Sequence, residues 1–413
     1  MRITKKKFKL FLLTVISGIV MGVISKLFLD SLMLASSFRE KHQYMLLLLP
    51  IVGILTAFVY KNYGEGSQRG NNLIIDSVHK NSHVPLRMSS FTFIFTILTH
   101  LSGGSAGREG TAVQIGGTIT NKLAESFRLD VSDKKILIMS GISAGFGSVF
   151  GTPLAGTFFG VEMCFMGKLS YESLIPCFTA SYIADFVAKS LGAVHSSHLI
   201  MYVPQMTPYI FTVVVLAACI FGVVGKYFSI CIHFLKDSYA KLFKNYLIRA
   251  FASSVFVMAV MLLFNWTRYE GLSTWMIDEG FKGITAFYDP LAKYILTCMT
   301  LGAGFQGGEV TPLFDIGASL GSVIGQMANI EPSFLAALGL LSVFGCATNT
   351  PVTTIMLGIE MFGSDAVSYY VIAALISYYV SGHNGIYQSQ VIYTPKSELL
   401  KGQSKLSIEE IRD

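Results

Sequence analysis

The chain has 413 residues, of which 52% are hydrophobic and only 14% charged, where soluble domains carry about 25% charge. That balance excludes an ordinary soluble enzyme, a disordered chain and a coiled coil, and points to one polytopic membrane protein. The formal net charge of +6 invites a nucleic-acid reading, but Arg2, Lys5, Lys6, Lys7 and Lys9 crowd the first nine residues ahead of an apolar run, which is the positive-inside signal of a cytoplasmic N-terminus.

A span needs about 20 mostly apolar residues, so the length allows on the order of ten to fourteen helices. The first apolar stretch, 10–35, superficially fits a cleaved signal peptide. The pattern runs on to about Phe38 without a small-x-small site, so it reads as the first membrane helix. Further stretches follow near 44–60, 89–101, 111–125, 135–150, 152–166, 172–191, 208–235, 247–265, 288–301, 312–328, 333–346, 350–363 and 366–381. Several are too short to cross the bilayer and are interrupted by Gly and Pro, the mark of broken helices that line protein or a water-filled cavity. The cysteines (Cys164, Cys177, Cys219, Cys231, Cys298 and Cys346) sit in or beside apolar stretches without metal-like spacing, so neither zinc nor disulfides are expected.

The chain repeats itself. Leu101-Ser-Gly-Gly104-Ser-Ala-Gly107-Arg-Glu109-Gly-Thr111 aligns with Leu301-Gly-Ala-Gly304-Phe-Gln-Gly307-Gly-Glu309-Val-Thr311 at an offset of 200. Downstream, the segment from Thr152-Pro153 through Gly160 to Glu162-Met163 aligns with that from Thr350-Pro351 through Gly358 to Glu360-Met361, at an offset of 198. Two blocks in the same order imply two membrane halves, 1–200 and 201–388, around a site at the bilayer midplane, with inversion the common arrangement. Residues 389–413 make a short cytoplasmic tail, too short for a regulatory domain, with a turn or two of surface helix from Ile408 to Asp413.

Gly103-Gly104-Ser105-Ala106-Gly107-Arg108-Glu109-Gly110-Thr111 carries the chemistry. Glycines let the backbone open, and the apolar stretch from Thr111 reads as a helix whose free N–H groups suit an anion. Glu109 at that start competes with an anion for the same donors and also carries a proton, which would couple the two movements. The plainer alternative is a glycine-rich helix contact with a capping Glu. A soluble phosphate-binding loop is excluded by the missing Gly-Lys-Ser/Thr ending. Ionisable residues inside membrane segments are usually functional, which favours the transport reading.

Gly107-Arg-Glu-Gly110 resembles the central motif of the CLC family of chloride channels and anion/proton exchangers, and Gly141-Ile-Ser-Ala-Gly-Phe-Gly-Ser-Val-Phe-Gly-Thr-Pro-Leu-Ala-Gly156 resembles another of its segments. The resemblance covers nearly the whole membrane chain. Its departures are informative. Gly70-Asn71-Asn72-Leu73-Ile74 stands for the chloride-type Gly-Ser-Gly-Ile-Pro, Thr111 for the Pro after Gly-Arg-Glu-Gly, and Gly307-Gly308-Glu309-Val310-Thr311-Pro312 for Gly-Gly-Ile-Phe-Ala-Pro. Together these resemble the fluoride/proton antiporter branch, CLC-F.

The resemblance implies an all-α CLC-like fold with broken helices, a homodimer with one pathway per subunit, and fluoride export in exchange for protons across a bacterial-type inner (plasma) membrane. It implies Glu109 as gate and proton-coupling group, and Asn71, Gly107, Arg108, Gly110, Thr111, Val310 and Tyr387 as anion-binding residues. Glu309 and Thr311 become the central transport site, with the Glu309 role open between anion, proton and structure. Asn71, by itself an ordinary cap or turn residue, stands where a chloride-coordinating Ser would be. Tyr387, otherwise an interfacial anchor, matches the pore-lining Tyr. Glu162 and Glu360 read as structural, hydrogen-bonded within broken helices, with Met163 standing where exchangers carry a second Glu. His100 reads as a buried, hydrogen-bonded histidine, and Trp266 and Trp275 as interface anchors. No metal or organic cofactor is needed. The alternatives are a chloride-selective exchanger or passive channel of the same fold, and a membrane-embedded enzyme, for which the sequence offers no nucleophile–base motif.

Overall fold

A computed structural model describes residues 2–412. The expected helix of the tail spans Ile408–Arg412, and Asp413 lies outside the described residues. The order is α1 (Arg2–Lys41), α2 (Leu49–Tyr63), α3 (Asn71–Lys80), α4 (Arg87–Leu101), α5 (Glu109–Ser126), α6 (Val131–Phe150), α7 (Pro153–Glu162), α8 (Leu174–Ser190), α9 (Pro208–Leu242), α10 (Tyr246–Leu263), α11 (Trp275–Lys282), α12 (Asp289–Gly302), α13 (Val310–Ala328), α14 (Pro332–Thr348), α15 (Pro351–Phe362), α16 (Val367–Val380) and α17 (Ile408–Arg412). Each apolar stretch of the sequence becomes one of these helices. The sequence reading missed α3 and α11, which are short and polar on one side.

Among the described residues, four segments are long and apolar enough to cross a membrane: Lys6–Lys41, Gln43–Tyr63, Pro208–Leu242 and Tyr246–Leu263. At 1.5 Å per residue, the 40 residues of α1 extend about 60 Å, more than a bilayer core needs, so α1 reaches beyond it or tilts. The other helices are shorter because Gly and Pro stop them. Pro153 and Pro351 open α7 and α15, where a missing N–H costs nothing. Gly151 (φ 79°) and Asn349 (φ 58°) end α6 and α14 in the left-handed region. Close approach needs bare backbone at Gly317 and Gly339, where a Cβ on either would fall on the carbonyl of the other.

The directions of the helices follow from their end contacts. Lys6 pairs with Asp130 at the start of α6, and Lys9 Nζ donates to Phe127 O at the end of α5 (2.6 Å). The opposite end holds the 191–207 loop. There His195 bonds Ser148 O near the end of α6 (3.1 Å), Met201 N donates to Ser333 Oγ at the start of α14 (2.9 Å), and Tyr369 Oη donates to Pro204 O near the start of α16 (2.7 Å). Tyr209, in the first turn of α9, reaches Ala328 O at the end of α13 (2.7 Å). Helix α5 therefore points to the Lys6 end and α13 to the loop end. Their starts meet in the middle, where Gly107 and Gly308 exchange antiparallel hydrogen bonds of 2.6 and 2.8 Å.

The apolar core is aromatic at this junction. Phe146 stacks on Phe159 (4.4 Å between centroids), with Phe314 and Phe344 beside them. A two-residue parallel pairing of Phe165–Met166 with Val391–Ile392 fastens the tail below α7.

Candidate functional site

Glu109 is fully buried at the first residue of α5, yet its carboxylate turns to the other helix of the bridge. Oε2 accepts the Thr311 hydroxyl and the Thr311 N–H (3.2 Å), in the first turn of α13. Oε1 accepts Arg108 Nε at 3.2 Å. Thus the acidic residue of one repeat copy occupies the helix start of the other, with a hydroxyl, an amide and a guanidinium around it.

The start of α5 is left for other groups. A Cβ added to Gly110 would stand 3.1 Å from Glu309 Oε2 and 3.3 Å from Asn71 Nδ2, so its bare Cα, Glu309 and Asn71 converge on one spot. Asn71 Oδ1, Glu309 Oε2 and Tyr387 Oη are buried and find no hydrogen-bond partner among the described residues. Buried polar atoms without partners are rare and call for an explanation. Here they border a cavity of about 510 Å³, walled also by Gln114, Gly70 and Phe305 and opening past Arg69, Lys61, Lys236 and Arg249. That mouth lies on the Lys6 side, where α16 ends and the tail begins.

Several expected residues take more specific places than the sequence suggested. Gly107 uses its N–H and carbonyl in the bridge to Gly308 and also receives His100 Nε2 (3.3 Å), so it holds the two copies together instead of offering a free donor. Thr111 shares a 2.9 Å hydrogen bond with Thr96. Arg108 contributes its charge to Glu109, and Val310 is the buried first residue of α13.

Glu162 and Glu360 are hydrogen-bonded, as their structural reading anticipates, but across the repeats and not within their own helices. Glu162 accepts Val352 N (3.1 Å), Thr353 N (2.8 Å) and Thr353 Oγ1 (2.7 Å) at the start of α15. Glu360 accepts Leu154 N (2.9 Å) and Ala155 N (2.8 Å) at the start of α7. Three broken-helix starts, α7, α13 and α15, thus carry a carboxylate from the opposite copy. The start of α5 faces Asn71 and Glu309 instead, across the cavity that Tyr387 also borders.

Sequence reading passed over Gln114, which takes Thr92 Oγ1 at 3.1 Å beside the cavity. It also passed over the buried pair Lys293–Asp315 (3.6 Å). Lys293 donates to Gly271 O (2.9 Å) and Leu272 O (3.2 Å), and Gly271 in turn hydrogen-bonds Gly104 O (3.2 Å), so this pair fixes the loop that covers the glycine segment. The signal was available: a lone Asp and a lone Lys inside apolar stretches. His100 is buried and bonded, as expected. Trp275 donates to Arg268 O (2.9 Å) beneath the Arg268 guanidinium.

The pattern described as "Voltage gated chloride channel" matches residues 52–382. A "Chloride/fluoride channel protein" of Pseudomonas syringae pv. tomato is 40% identical over 380 residues, which cover 90% of this chain and 84% of that protein. The crystal structure of a CLC-type fluoride/proton antiporter superposes with a TM-score of 0.90 at 37% identity, covering 93% of this chain and 98% of that one. The crystal structure of a slow cyanobacterial Cl−/H+ antiporter shares the fold, with a TM-score of 0.77 at 18% identity over 90% of this chain and 94% of that one.

Proposed function

The chain belongs to the voltage gated chloride channel family, the CLC proteins, and from that we propose that it is a secondary active transporter exporting fluoride in exchange for protons. The observation that carries this reading is the pairing of two things at one junction. A buried carboxylate, Glu109, sits on an anion-type helix start, and a cavity with unpartnered polar atoms lies directly beside it. The similar proteins are named for fluoride with proton antiport and for chloride/fluoride conduction.

Fluoride accepts hydrogen bonds and gives none, so its seat must consist of donors. Asn71 Nδ2, Tyr387 Oη and the Gly110 and Thr111 amides at the start of α5 supply them. An ionised Glu309 would repel the anion there, whereas a protonated one donates to it. Glu309 therefore takes part as an acid. When Glu109 is ionised it holds the Thr311 donors and excludes the anion from the start of α13. When it takes a proton, its claim on them weakens, Thr311 and Val310 become available, and the anion advances. One group alternating between proton and helix start moves protons against fluoride without any cofactor. The mouth lined by Arg69, Lys61, Lys236 and Arg249 faces the cytoplasm in this reading, with the N-terminus and the tail on the same side of a plasma membrane. Two copies form a homodimer with one pathway each, and the chain divides near residue 200 into its two halves.

The second reading, a channel or chloride-selective exchanger, is kept because the Pseudomonas relative is called a channel. Purified protein in liposomes under a fluoride gradient, with external pH recorded, separates them. The antiporter drives protons uphill as fluoride runs down, and faster than with chloride. Fluoride flux with no proton movement leaves a channel, and chloride preference leaves the exchanger.

A further inference from the structure

Tyr387 lies on the segment that joins α16 to the tail, outside the family-matched residues. Its ring meets Phe159 edge-on at 6.4 Å, and its hydroxyl has no hydrogen-bond partner among the described residues. The aim of that hydroxyl is therefore set by the backbone on either side. Ile386 N donates to Ala347 O (2.9 Å) and Gln390 N to Tyr387 O (3.1 Å). Gln390 Nε2 reaches Met163 O (3.0 Å) and Thr348 O (3.1 Å), joining the ends of α7 and α14.

Both arms of the loop converge on one amide. Asn349, which ends α14, donates through Nδ2 to Asn384 O (3.2 Å) before Tyr387 and to Gln390 Oε1 (3.0 Å) after it. An amide can face either way, and only one orientation serves both arms. Lys396 Nζ enforces that orientation. It contacts Asn349 Oδ1 at 2.6 Å, and an ammonium only donates, so the oxygen must face the lysine and the N–H groups must face the loop. Lys396 is itself buried. It is held by Tyr378 O (2.8 Å), Ser381 Oγ (3.0 Å) and the Tyr378 ring 3.8 Å away, and it has no carboxylate partner among the described residues. A cation placed so deep against neutral acceptors is an expensive way to fasten a tail.

We propose that Lys396 is a positioning residue for Tyr387, acting through the Asn349 amide, so that the C-terminal tail is a working part of the anion pathway. This rests on the reading of Tyr387 as a wall of that pathway.

The test is a mutant cycle in liposomes at pH 6, where the lysine keeps its proton, on Lys396→Met, Tyr387→Ala and the double variant, with Lys396→Arg as the conservative rescue. Initial rates against internal halide concentration give KM and maximal rate for fluoride and for chloride. Loss of one charge-assisted contact raises the KM of Lys396→Met by about tenfold, with a smaller change in maximal rate. Lys396→Arg restores it, and in the Tyr387→Ala background Lys396→Met adds nothing. Should Lys396→Met fail to fold, Asn349→Asp keeps a partner for the lysine but has no N–H for the loop, and it shows the same KM rise. A wild-type KM in Lys396→Met or Asn349→Asp, or the same fold-change in both backgrounds, overturns the proposal. A wild type that moves chloride alone, or moves fluoride without protons, defeats the antiporter reading instead, while the cycle is still read on the halide that moves.

Discussion

Thr311 gives Glu109 both its hydroxyl and its N–H, and Arg108 adds a cation, so the ionised carboxylate is held and the protonated one much less so. Glu109→Gln has the shape of the protonated acid and no charge to gain or lose. In liposomes it should leave fluoride movement or binding intact while proton flux falls to that of protein-free vesicles, and retained uphill proton transport would exclude Glu109 as the coupling group. Thr311 sets how firmly the carboxylate sits. Losing its hydroxyl removes a hydrogen bond to a charged group, worth about 1.5–3 kcal/mol. Thr311→Val should therefore release the carboxylate early and lower the number of protons moved per fluoride, while Thr311→Ser keeps the wild-type ratio. Equal ratios in both variants would show that the hydroxyl does not hold the gate. The sequence exposes Glu109 plainly, because an acid among glycines inside an apolar run has few structural explanations. It does not expose Thr311 as the acceptor's partner, since that contact crosses two hundred residues of chain.

Each broken helix begins where Pro or Gly prevents continuation, and its first N–H groups then need acceptors that lipid cannot supply. Glu162 and Glu360 supply them reciprocally, α7 ending in the acid that caps α15 and α15 carrying the acid that caps α7. Glu162 is buried and serves three donors, whereas Glu360 is half-buried and serves two. Each buried donor left without an acceptor costs about 1–3 kcal/mol. Glu162→Ala should accordingly lower the unfolding temperature in detergent more than Glu360→Ala, with Glu162→Gln between Glu162→Ala and the wild type. The reverse order would mean that the caps are not what holds these helices. The helices themselves were largely legible, because mean apolarity marks long or buried runs. Helix α3 was not. Asn71, Asn72, Asp76 and Lys80 interrupt its apolarity, and only the burial of Leu73, Ile74, Ile75 and Val78 against neighbouring helices shows why ten residues with that pattern fold.

Two copies pointing opposite ways, joined through Gly107 and Gly308, put the two glycine motifs back to back at the centre of the molecule. The repeat in the sequence foretold two related blocks. It could not foretell that the tail, which has no counterpart in the repeat, would fasten the ends of α7 and α14 beside the segment that carries Tyr387. The reason is physical: Lys396 reads as one more surface charge in a polar segment until the ends of α14 and α16 close over it. Burial pushes its ammonium down from 10.5 to about 7. The unfolded chain keeps that proton up to about pH 10.5, whereas the folded chain gives it up near 7. Between those values the unfolded state binds more protons, so stability rises with pH across the window. Below about pH 7 both states are charged and the burial penalty is felt in full. Above 10.5 both are neutral and the penalty vanishes. Unfolding temperature measured from pH 6 to pH 9.5 should then be flat at the acid end and climb from about 7 upward. In Lys396→Met the climb should be missing, because an apolar side chain in the same pocket has no proton to exchange. A variant that keeps the wild-type slope would place the titrating group elsewhere, and would mean that the lysine enters the fold without the desolvation that its position demands.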